Sequence, residues 1–266
     1  MCENCGCSEK ENYQILHPIE KELSGLKPHK FVPIQHDHLP EQGKSEMEHK
    51  NRTIKIEKDV LQSNNLQAEQ NRNLFKKKNI VALNFVSSPG SGKTSLLEVT
   101  IKALSSNLAL FVIEGDQQTS NDAERIQTAG APVIQINTGQ GCHLDANMIH
   151  SALRSLDVKE NSFLFIENVG NLVCPALFDL GEEKRVLIIS VTEGDDKPLK
   201  YPAMFQSSDL CIINKIDLLP YVDFNIEKVK EYALRINSKL TFLEISVTKG
   251  TGMELWYNWI IDLAKE

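Results

Sequence analysis

The chain has 266 residues, of which 41% are hydrophobic, and its formal net charge at pH 7 is -7. This length and composition allow one large domain or two small ones with a substantial core. An acidic chain lacks the basic face that sequence-independent nucleic-acid binding needs, and no apolar run approaches the roughly 18 residues that span a bilayer. We find no signal-peptide h-region and expect a cytoplasmic protein whose thiols stay reduced.

Three of the six cysteines lie within the first seven residues, at Cys2, Cys5 and Cys7. A Cys-x-x-Cys-x-Cys cluster can place three thiolates around one soft metal ion, whereas a disulfide framework would distribute its cysteines along the fold. We therefore predict a metal-binding motif over residues 1–7. Its fourth ligand stays open between the α-amine, water and an incoming ligand.

Residues 8–78 are poor in apolar side chains and contain five of the seven histidines. We interpret this segment as a flexible linker with one helix near its end, where apolar residues are loosely spaced over 51–75. A histidine-rich metal store would need denser clustering, and His36 with His38 is weak evidence for a ligand pair. The linker and the cysteine motif would together form a flexible, metal-binding N-terminal extension.

From residue 79 onward, short segments rich in β-branched residues alternate with segments of helical periodicity. Strands are predicted at 80–86, 108–113, 132–137, 162–166, 185–191, 210–213 and 240–245. Helices are predicted at 93–104, 121–129, 145–156, 225–237 and 253–264. Because nearly all-apolar strands that alternate with helices form a parallel sheet covered on both faces, we predict a three-layer α/β domain over 79–266, with a mostly parallel sheet flanked by helices.

A glycine-rich loop, Ser-Ser-Pro-Gly-Ser-Gly-Lys-Thr, directly follows the first of these strands and leads into a helix. It matches the phosphate loop of P-loop NTPases, with Ser87 in place of the first glycine. Gly90 and Gly92 let successive N–H groups point at one phosphate. We predict that Lys93 reaches the β- and γ-phosphates and that Thr94 binds Mg²⁺. The predicted phosphate contacts also include Ser88, Ser91 and Ser95.

Two further strands end in acidic residues. Glu167 follows the fourth predicted strand and Gly170 comes three residues later, which is similar to an Asp-x-x-Gly switch with Glu in place of Asp. We predict that Glu167 holds the Mg²⁺ shell and that the Gly170 N–H meets the γ-phosphate. Asp116, after the second strand, is a candidate for the Mg²⁺ shell or for orienting the attacking water, with a helix-cap or turn role as the alternative. Lys93, Asp116 and Glu167 are the predicted catalytic residues.

An Asn-Lys-x-Asp tetrad follows the sixth strand and resembles the guanine-recognition motif of GTPases. The Asp217 carboxylate can accept from both the N1–H and the 2-amino group of guanine, and the aliphatic stem of Lys215 can cover the ring. Adenine offers neither donor in that arrangement, so a small-molecule kinase is disfavoured. The predicted base contacts are Asn214, Lys215 and Asp217, with Ser246 and Val247 after the last strand.

A second candidate metal site consists of Cys142, His143 and Cys174, all on loops that follow parallel strands. Such loops share one edge of the sheet, and a site at a two-fold dimer interface could draw Cys142 and Cys174 from both chains, with His143 as a further ligand. Cys174 lies four residues beyond Gly170, so metal affinity and nucleotide state should be coupled. Cys211, inside a strand, is expected to be core.

Together, these features resemble the hydrogenase nickel-incorporation GTPases of the HypB family. The resemblance covers residues 80–266 and the first seven residues, but not 8–78. The segments that carry it are the cysteine motif, the phosphate loop, and residues 114–119, 139–144, 167–175 and 214–217.

The resemblance implies a dimerising P-loop GTPase of the SIMIBI type that hydrolyses GTP slowly and delivers nickel to the large subunit of nickel–iron hydrogenase. It implies a homodimer in the GTP-bound state and the zinc-containing metallochaperone HypA as partner, and in some bacteria urease maturation as well. It also implies a nucleotide contact from Lys197, within the chain or from the opposite chain, with a solvated charged loop as the alternative. No obvious arginine finger is present, which agrees with slow hydrolysis.

We therefore predict a GTP-hydrolysing nickel metallochaperone with GTP, Mg²⁺ and Ni²⁺ as its ligands, and Zn²⁺ as an alternative at the second site. The alternatives are a nickel or zinc buffer with a vestigial nucleotide fold, and the urease accessory GTPase UreG. The UreG family typically has Cys-Pro-His where this chain has Cys142-His143, and it lacks the terminal cysteine motif. The chain also lacks the long histidine tract of some family members, so bulk nickel storage is not expected.

Overall fold

The computed structural model describes residues 13–16, 46–117 and 120–265, with the side chains of the first helix described from residue 58 onward. The predicted motif of Cys2, Cys5 and Cys7 lies outside the described residues, as does the His36–His38 pair. The division into 1–7, 8–78 and 79–266 therefore stays a prediction as a whole. Of its middle segment, the structure describes residues 13–16 and 46–78.

The core of the molecule is an eight-stranded sheet. Its strands are β1 Gln14–Leu16, β2 Ile80–Ser87, β3 Leu110–Asp116, β4 Val133–Asn137, β5 Ser162–Glu167, β6 Lys184–Ser190, β7 Leu210–Asn214 and β8 Thr241–Glu244. They are arranged in the order β1-β4-β3-β5-β2-β6-β7-β8, and every pair is parallel except β1 with β4. The seven predicted strands and the predicted fold class are confirmed.

Helices cover both faces of the sheet and complete three layers. They are α1 Glu46–Lys78, α2 Lys93–Leu104, α3 Asn121–Ala129, α4 Ala146–Ser155, α5 Lys197–Lys200, α6 Pro202–Gln206, α7 Ile226–Ile236 and α8 Met253–Leu263. Helices α2, α3 and α8 pack on one face, α1 and α4 on one half of the other, and α6 and α7 on its second half. Within the described part of the chain, no helix has the length and apolar character of a membrane span.

The strand residues show why the sheet is covered on both sides. On β2, Leu83 and Phe85 point into the cluster under α2, whereas Ala82 and Val86 point into the clusters on the opposite face. An apolar side chain on each face leaves little room for the polar alternation of a half-exposed strand. Cys211 on β7 is fully buried in the same way, which confirms it as core.

The end of the predicted linker differs from expectation, because part of 8–78 is packed structure. Helix α1 buries Asn64, Ala68, Asn71 and Phe75, which are spaced by four, three and four residues and therefore lie on one face. Two of the four are asparagines, so the sequence pattern reads as polar although the face is buried. Strand β1 adds a second contact of this segment with the sheet. Residue 79 therefore does not mark the beginning of the packed structure.

Candidate nucleotide and metal sites

The phosphate loop, residues 87–94, leaves β2 and enters α2 at the carboxyl edge of the sheet. Gly90 and Gly92 have φ of 76° and 96°, a left-handed conformation that favours glycine. The surroundings of Gly92 also exclude a side chain, because a Cβ there would lie 2.5 Å from Asn214 Nδ2. The loop lines a cleft of about 560 Å³ together with residues 114–117, Gly170 and Lys215. The predicted phosphate-binding residues therefore share one cleft.

An acidic centre lies beside the phosphate loop. Glu167 Oε1 accepts a hydrogen bond from Thr94 Oγ1 at 2.6 Å and one from Lys93 Nζ at 2.9 Å. Glu114 is the register partner of Glu167 across β3 and β5, so two buried carboxyls lie side by side. Asp116, two residues further along β3, lines the cleft. Thr94 and Glu167, both predicted to hold Mg²⁺, therefore lie in direct contact.

Glu114 is a site residue to which the sequence analysis assigned no role. Burial first, and then the neighbouring Glu167 charge, raises the pKa of Glu114 to about 9. Within the described part of the chain, Glu114 Oε2 and Glu167 Oε2 are buried without a hydrogen-bond partner. Carboxylate and hydroxyl oxygens are the ligands that Mg²⁺ prefers, so this group of oxygens with Thr94 fits that cation.

The switch loop, residues 167–174, lies against the phosphate loop. A Cβ on Gly170 would lie 3.2 Å from Pro89 Cα, Cγ and N, so the two loops touch through their backbones. Gly170 lines the same cleft as Lys93. The predicted γ-phosphate contact of Gly170 is therefore compatible with the position of its backbone.

Lys197 also lies beside the phosphate loop of its own chain. Its Nζ is 2.8 Å from Glu193 Oε2 and donates to Ser88 Oγ at 3.0 Å. Glu193 Oε1 in turn accepts from Ser91 Oγ at 3.0 Å, a contact that the sequence analysis missed. The Lys197 side chain is 17% exposed, and its contact with a nucleotide stays a prediction.

The Asn-Lys-x-Asp tetrad is bonded to the phosphate loop. Asn214 Nδ2 donates to Ser91 O at 2.9 Å, and Lys215 Nζ donates to Gly90 O at 2.7 Å. Asn214 Oδ1 accepts from Lys215 N, and Val247 N approaches it at 3.4 Å. Asn214 therefore positions the loops around the cleft.

The last loop of the sheet supports Asp217. Ser246 Oγ donates to Asp217 Oδ1 at 2.6 Å and also accepts from Lys249 N at 3.1 Å. This bond leaves the second carboxylate oxygen of Asp217 to be satisfied by other donors. Asp217 and Ser246, which are 29 residues apart in the chain and are both predicted base contacts, thus lie side by side.

Arg125, in the middle of α3, lines the cleft as well. Its guanidinium donates to Ser95 Oγ at 3.1 Å, Glu98 at 2.9 Å and Asp122 at 3.1 Å. These carboxylates hold Arg125 at the rim. Ser95, a predicted phosphate contact, therefore faces Arg125 in this structure.

Cys142, His143 and Cys174 form a compact cluster, called the metal cluster below. Their ligand atoms all lie within 4.8 Å of one another, with 2.8 Å between the two sulfurs and 3.8 Å between Cys142 Sγ and His143 Nδ1. His143 stacks on Phe178 with the ring centroids 3.9 Å apart, and burial lowers its pKa while Asp145 opposes that shift. A neutral imidazole and two cysteine sulfurs, which bind as thiolates, are suitable soft-metal ligands.

Two amides of the switch loop bond to the loop that carries Cys142 and His143. Asn168 is fully buried, and its Oδ1 accepts from Leu144 N at 3.1 Å and from Val169 N at 3.0 Å. Asn171 Nδ2 adds a bond to Cys142 O at 3.3 Å. The predicted proximity of Cys174 to the switch is therefore reinforced by cross-loop bonds, which the sequence analysis did not foresee.

Comparisons with known proteins agree with this arrangement. The family model described as CobW/HypB/UreG, nucleotide-binding domain, matches residues 81–244. The hydrogenase maturation factor HypB of Rhizobium leguminosarum bv. viciae is 58% identical over 209 residues, which cover 79% of this chain and 70% of that protein. The HypB of Escherichia coli strain K12 is 45% identical over 289 aligned positions, which cover 98% of each protein.

The solved structure of HypB from Helicobacter pylori in complex with nickel has a TM-score of 0.73 and 37% identity, and it covers 76% of this chain and 95% of that one. The Escherichia coli alignment extends the similarity into residues 8–78, which the motifs did not cover. The chain therefore belongs to the HypB family of hydrogenase maturation factors, within the CobW/HypB/UreG group of P-loop GTPases.

Proposed function

We propose that this protein is a GTP-hydrolysing metallochaperone that carries Ni²⁺ and inserts it into the large subunit of nickel–iron hydrogenase. GTP-dependent dimerisation gates the transfer. The observation that carries this proposal is the contact between the two sites, in which Asn168 of the switch loop bonds to Leu144 beside Cys142 and His143. A relative solved in complex with nickel supports nickel as the cargo.

The nucleotide half of the proposal rests on the cleft. Lys93 and Thr94 share one oxygen of Glu167, so phosphate binding would release Lys93 from that pair to the β- and γ-phosphates. Thr94, Glu167 and Asp116 would hold Mg²⁺, which supplies neutralisation of the phosphate charge.

The base and phosphate contacts extend over the cleft. Asp217 would accept from the guanine N1–H and 2-amino group, while Asn214 and Lys215 order the loops. The further proposed nucleotide contacts are Ser88, Gly90, Ser91, Gly92, Ser95, Gly170, Lys197, Ser246 and Val247.

Turnover should be slow. Arg125 lines the cleft, but Glu98 and Asp122 hold its guanidinium at the rim, so it is not placed over a transferred phosphate. An arginine placed over the transferred phosphate typically contributes about 10³–10⁵ in rate, so hydrolysis without one is weak. Slow hydrolysis suits a timer for cargo transfer.

The cargo half rests on the metal cluster. Two thiolates and an imidazole bind Ni²⁺ and also Zn²⁺, so cellular supply decides the occupant. Val173 and Leu177, on either side of Cys174, are 54% and 56% exposed, and Leu199 on α5 is 57% exposed. These apolar side chains support a dimer face beside the cluster, where a second chain could complete the coordination. The N-terminal Cys2, Cys5 and Cys7 would form a separate capture site.

Partners follow from membership in the family. We propose the metallochaperone HypA as a partner protein and the hydrogenase large subunit as the acceptor of nickel. Urease maturation proteins are a further proposed client group, since a relative in Helicobacter hepaticus is named a hydrogenase/urease maturation factor.

The decisive experiment measures GTP hydrolysis and nickel transfer to purified apo large subunit with the same preparations. We expect hydrolysis of GTP but not ATP, and a loss of about 100-fold or more in Lys93→Ala. Lys102→Ala, on the exposed side of the same helix, is the matched control and should hydrolyse GTP normally. Cys142→Ala should keep GTP hydrolysis and lose transfer. Absence of hydrolysis, together with equal nickel affinity in GDP and in a GTP analogue, would leave only the metal-buffer alternative.

A further inference from the structure

Helix α1 carries a buried polar stripe that the nucleotide chemistry does not use. Asn64 is 3% exposed and Asn71 is fully buried, with Ala68 between them on the same face. Burying an amide is costly unless its donors and acceptor are all paired. The partners of these two amides therefore show what α1 holds in place.

Asn64 bridges two separate segments. Its Oδ1 accepts from Ala146 N at 2.9 Å, and its Nδ2 donates to Asp179 O at 2.8 Å. Ala146 is the first residue of α4, where backbone N–H groups lack partners within the helix. Asn64 thus pairs with a buried backbone N–H at the start of α4 and joins this helix to residue 179.

Asn71, about two turns further along α1, bridges the same two segments. Its Nδ2 donates to Ala146 O at 2.9 Å and to Leu180 O at 3.1 Å. Its Oδ1 lies 3.3 Å from both Gln67 Nε2 and His150 Nδ1, which fixes the orientation of the amide. Both polar ends of Asn71 are therefore engaged.

An ion pair and a close backbone approach fix the second segment against α1. Arg72 Nη2 donates to both carboxylate oxygens of Asp179, at 2.8 and 2.7 Å. Gly181 has φ of 89°, and a Cβ on it would lie 2.5 Å from Ala68 O. The helix backbone and the 179–181 segment are in contact without space between them.

The two bridged segments continue directly into the metal cluster. Ala146 comes three residues after His143, and Asp179 directly follows Phe178, whose ring stacks on His143. Cys174 lies five residues before Asp179. Helix α1 therefore spans the segment that carries Cys142 and His143 and the segment that carries Cys174.

We propose that α1 is a positioning element for the metal cluster, with Asn64 and Asn71 as positioning residues that set the separation of its two ligand-bearing loops. This inference rests on the proposed function, because it assigns the cluster to metal binding. The residues of α1 do not contact the ligand atoms, so they act by orienting the segments that carry them. Groups that orient ligands in this way typically contribute about 10–100-fold to metal affinity.

The test uses the full chain with Cys2, Cys5 and Cys7 replaced by alanine in every protein, so that nickel binding reports the metal cluster. Nickel affinity is measured by chelator competition, together with the thiolate-to-nickel absorption band and the GDP affinity. We expect Asn71→Ala to raise the nickel dissociation constant about 10-fold or more and to shift the band, with GDP affinity unchanged. Leu66→Ala, at a 65% exposed position of the same helix, is the matched control and should change none of the three.

A folded Asn71→Ala protein with unchanged nickel affinity and absorption overturns this inference alone. If Asn71→Ala does not fold, Arg72→Met decides the question, because it keeps both buried amides and removes the ion pair that holds Asp179 against α1. It also removes the pair with the exposed Glu69, and such exposed pairs contribute little. Unchanged nickel binding in that variant also overturns the inference. Failure of the parent protein to bind nickel in a Cys142-dependent way overturns the proposed function and this inference together.

Discussion

At the scale of single residues, Asp217 should decide which base is bound. In Asp217→Asn, one acceptor oxygen becomes an NH₂ donor, so the guanine N1–H and 2-amino groups lose a shared acceptor. Two charge-assisted hydrogen bonds contribute about 1.5–3 kcal/mol each, so GDP affinity should fall about 100-fold or more. Affinity for xanthosine diphosphate (XDP) should rise, because xanthine has an acceptor oxygen at position 2 that the new NH₂ group can donate to. Competition with a fluorescent nucleotide measures both affinities.

Ser246→Ala is the control for this change, since it removes the 2.6 Å bond to Asp217 but keeps the carboxylate. That variant should bind GDP more weakly and still prefer it over XDP. Retention of GDP preference in Asp217→Asn would show that this residue does not read the base.

The residues of the site were predictable to the extent that they lie in short motifs. The glycines, the tetrad and the metal cluster were recognisable because each loop carries its chemistry in a few adjacent positions. Glu193 and Asn168 were not predictable, because their roles depend on partners 102 and 24 residues away in the chain. Glu114 lies within a recognised segment, but its raised pKa comes from burial beside Glu167, which a sequence does not display.

At the scale of elements, the ion pair that fixes α1 should make stability depend on pH. Burial alone would raise the pKa of Asp179, but the Arg72 hydrogen bond and the Gly181 N–H lower it below its ordinary value. A carboxyl with a lower pKa in the folded state stabilises the fold above its unfolded pKa of about 4. That contribution disappears as pH falls through the folded value.

Arg72→Met should therefore reduce the free energy of unfolding most near pH 7, and the difference from the unchanged protein should shrink below about pH 4. Urea unfolding at several pH values measures this difference. Arg235→Met is the control, because its pair with Glu231 is exposed on α7 and such pairs contribute little. A difference that stays constant with pH would contradict the assigned role of Asp179.

The elements themselves were predicted where hydrophobic pattern and position agree. All seven parallel strands were found because strands buried on both faces are nearly continuous apolar runs. Strand β1 has three residues at the sheet edge and only Ile15 half-buried between exposed neighbours, so it offers no such run. The packed part of α1 was underestimated because amides fill two of its buried positions, and an asparagine shows its partners only in the folded chain.

At the scale of the whole molecule, the nucleotide cleft and the metal cluster are joined through the switch loop. The switch loop touches the phosphate loop at Gly170 and Pro89, and it bonds to the metal-cluster loop through Asn168. We therefore expect movement of the switch between nucleotide states to shift the loop of Cys142 and His143. Linkage requires that nucleotide and nickel change each other's affinity by the same factor.

This coupling gives the last prediction. Nickel affinity of the metal cluster should differ between GDP and a non-hydrolysable GTP analogue, by a factor of about 5–150 if the coupling is typical. The preference for one nucleotide over the other should change by that same factor when nickel is added. Asn168→Ala removes the acceptor for Leu144 N, so the factor should approach one while each ligand still binds.

Calorimetric titrations of each ligand, with and without the other, measure the factor in both directions. Asn237→Ala is the matched control, because the Asn237 Oδ1 also accepts from a backbone N–H, that of Lys239, and its Nδ2 donates to Phe205 O and Ser208 O, on the edge of the sheet remote from both sites. It should lower stability and leave the factor unchanged. An unchanged coupling factor in Asn168→Ala would mean that the switch loop and the metal cluster are coupled through other contacts. The bond from Asn171 Nδ2 to Cys142 O would then be the next contact to remove.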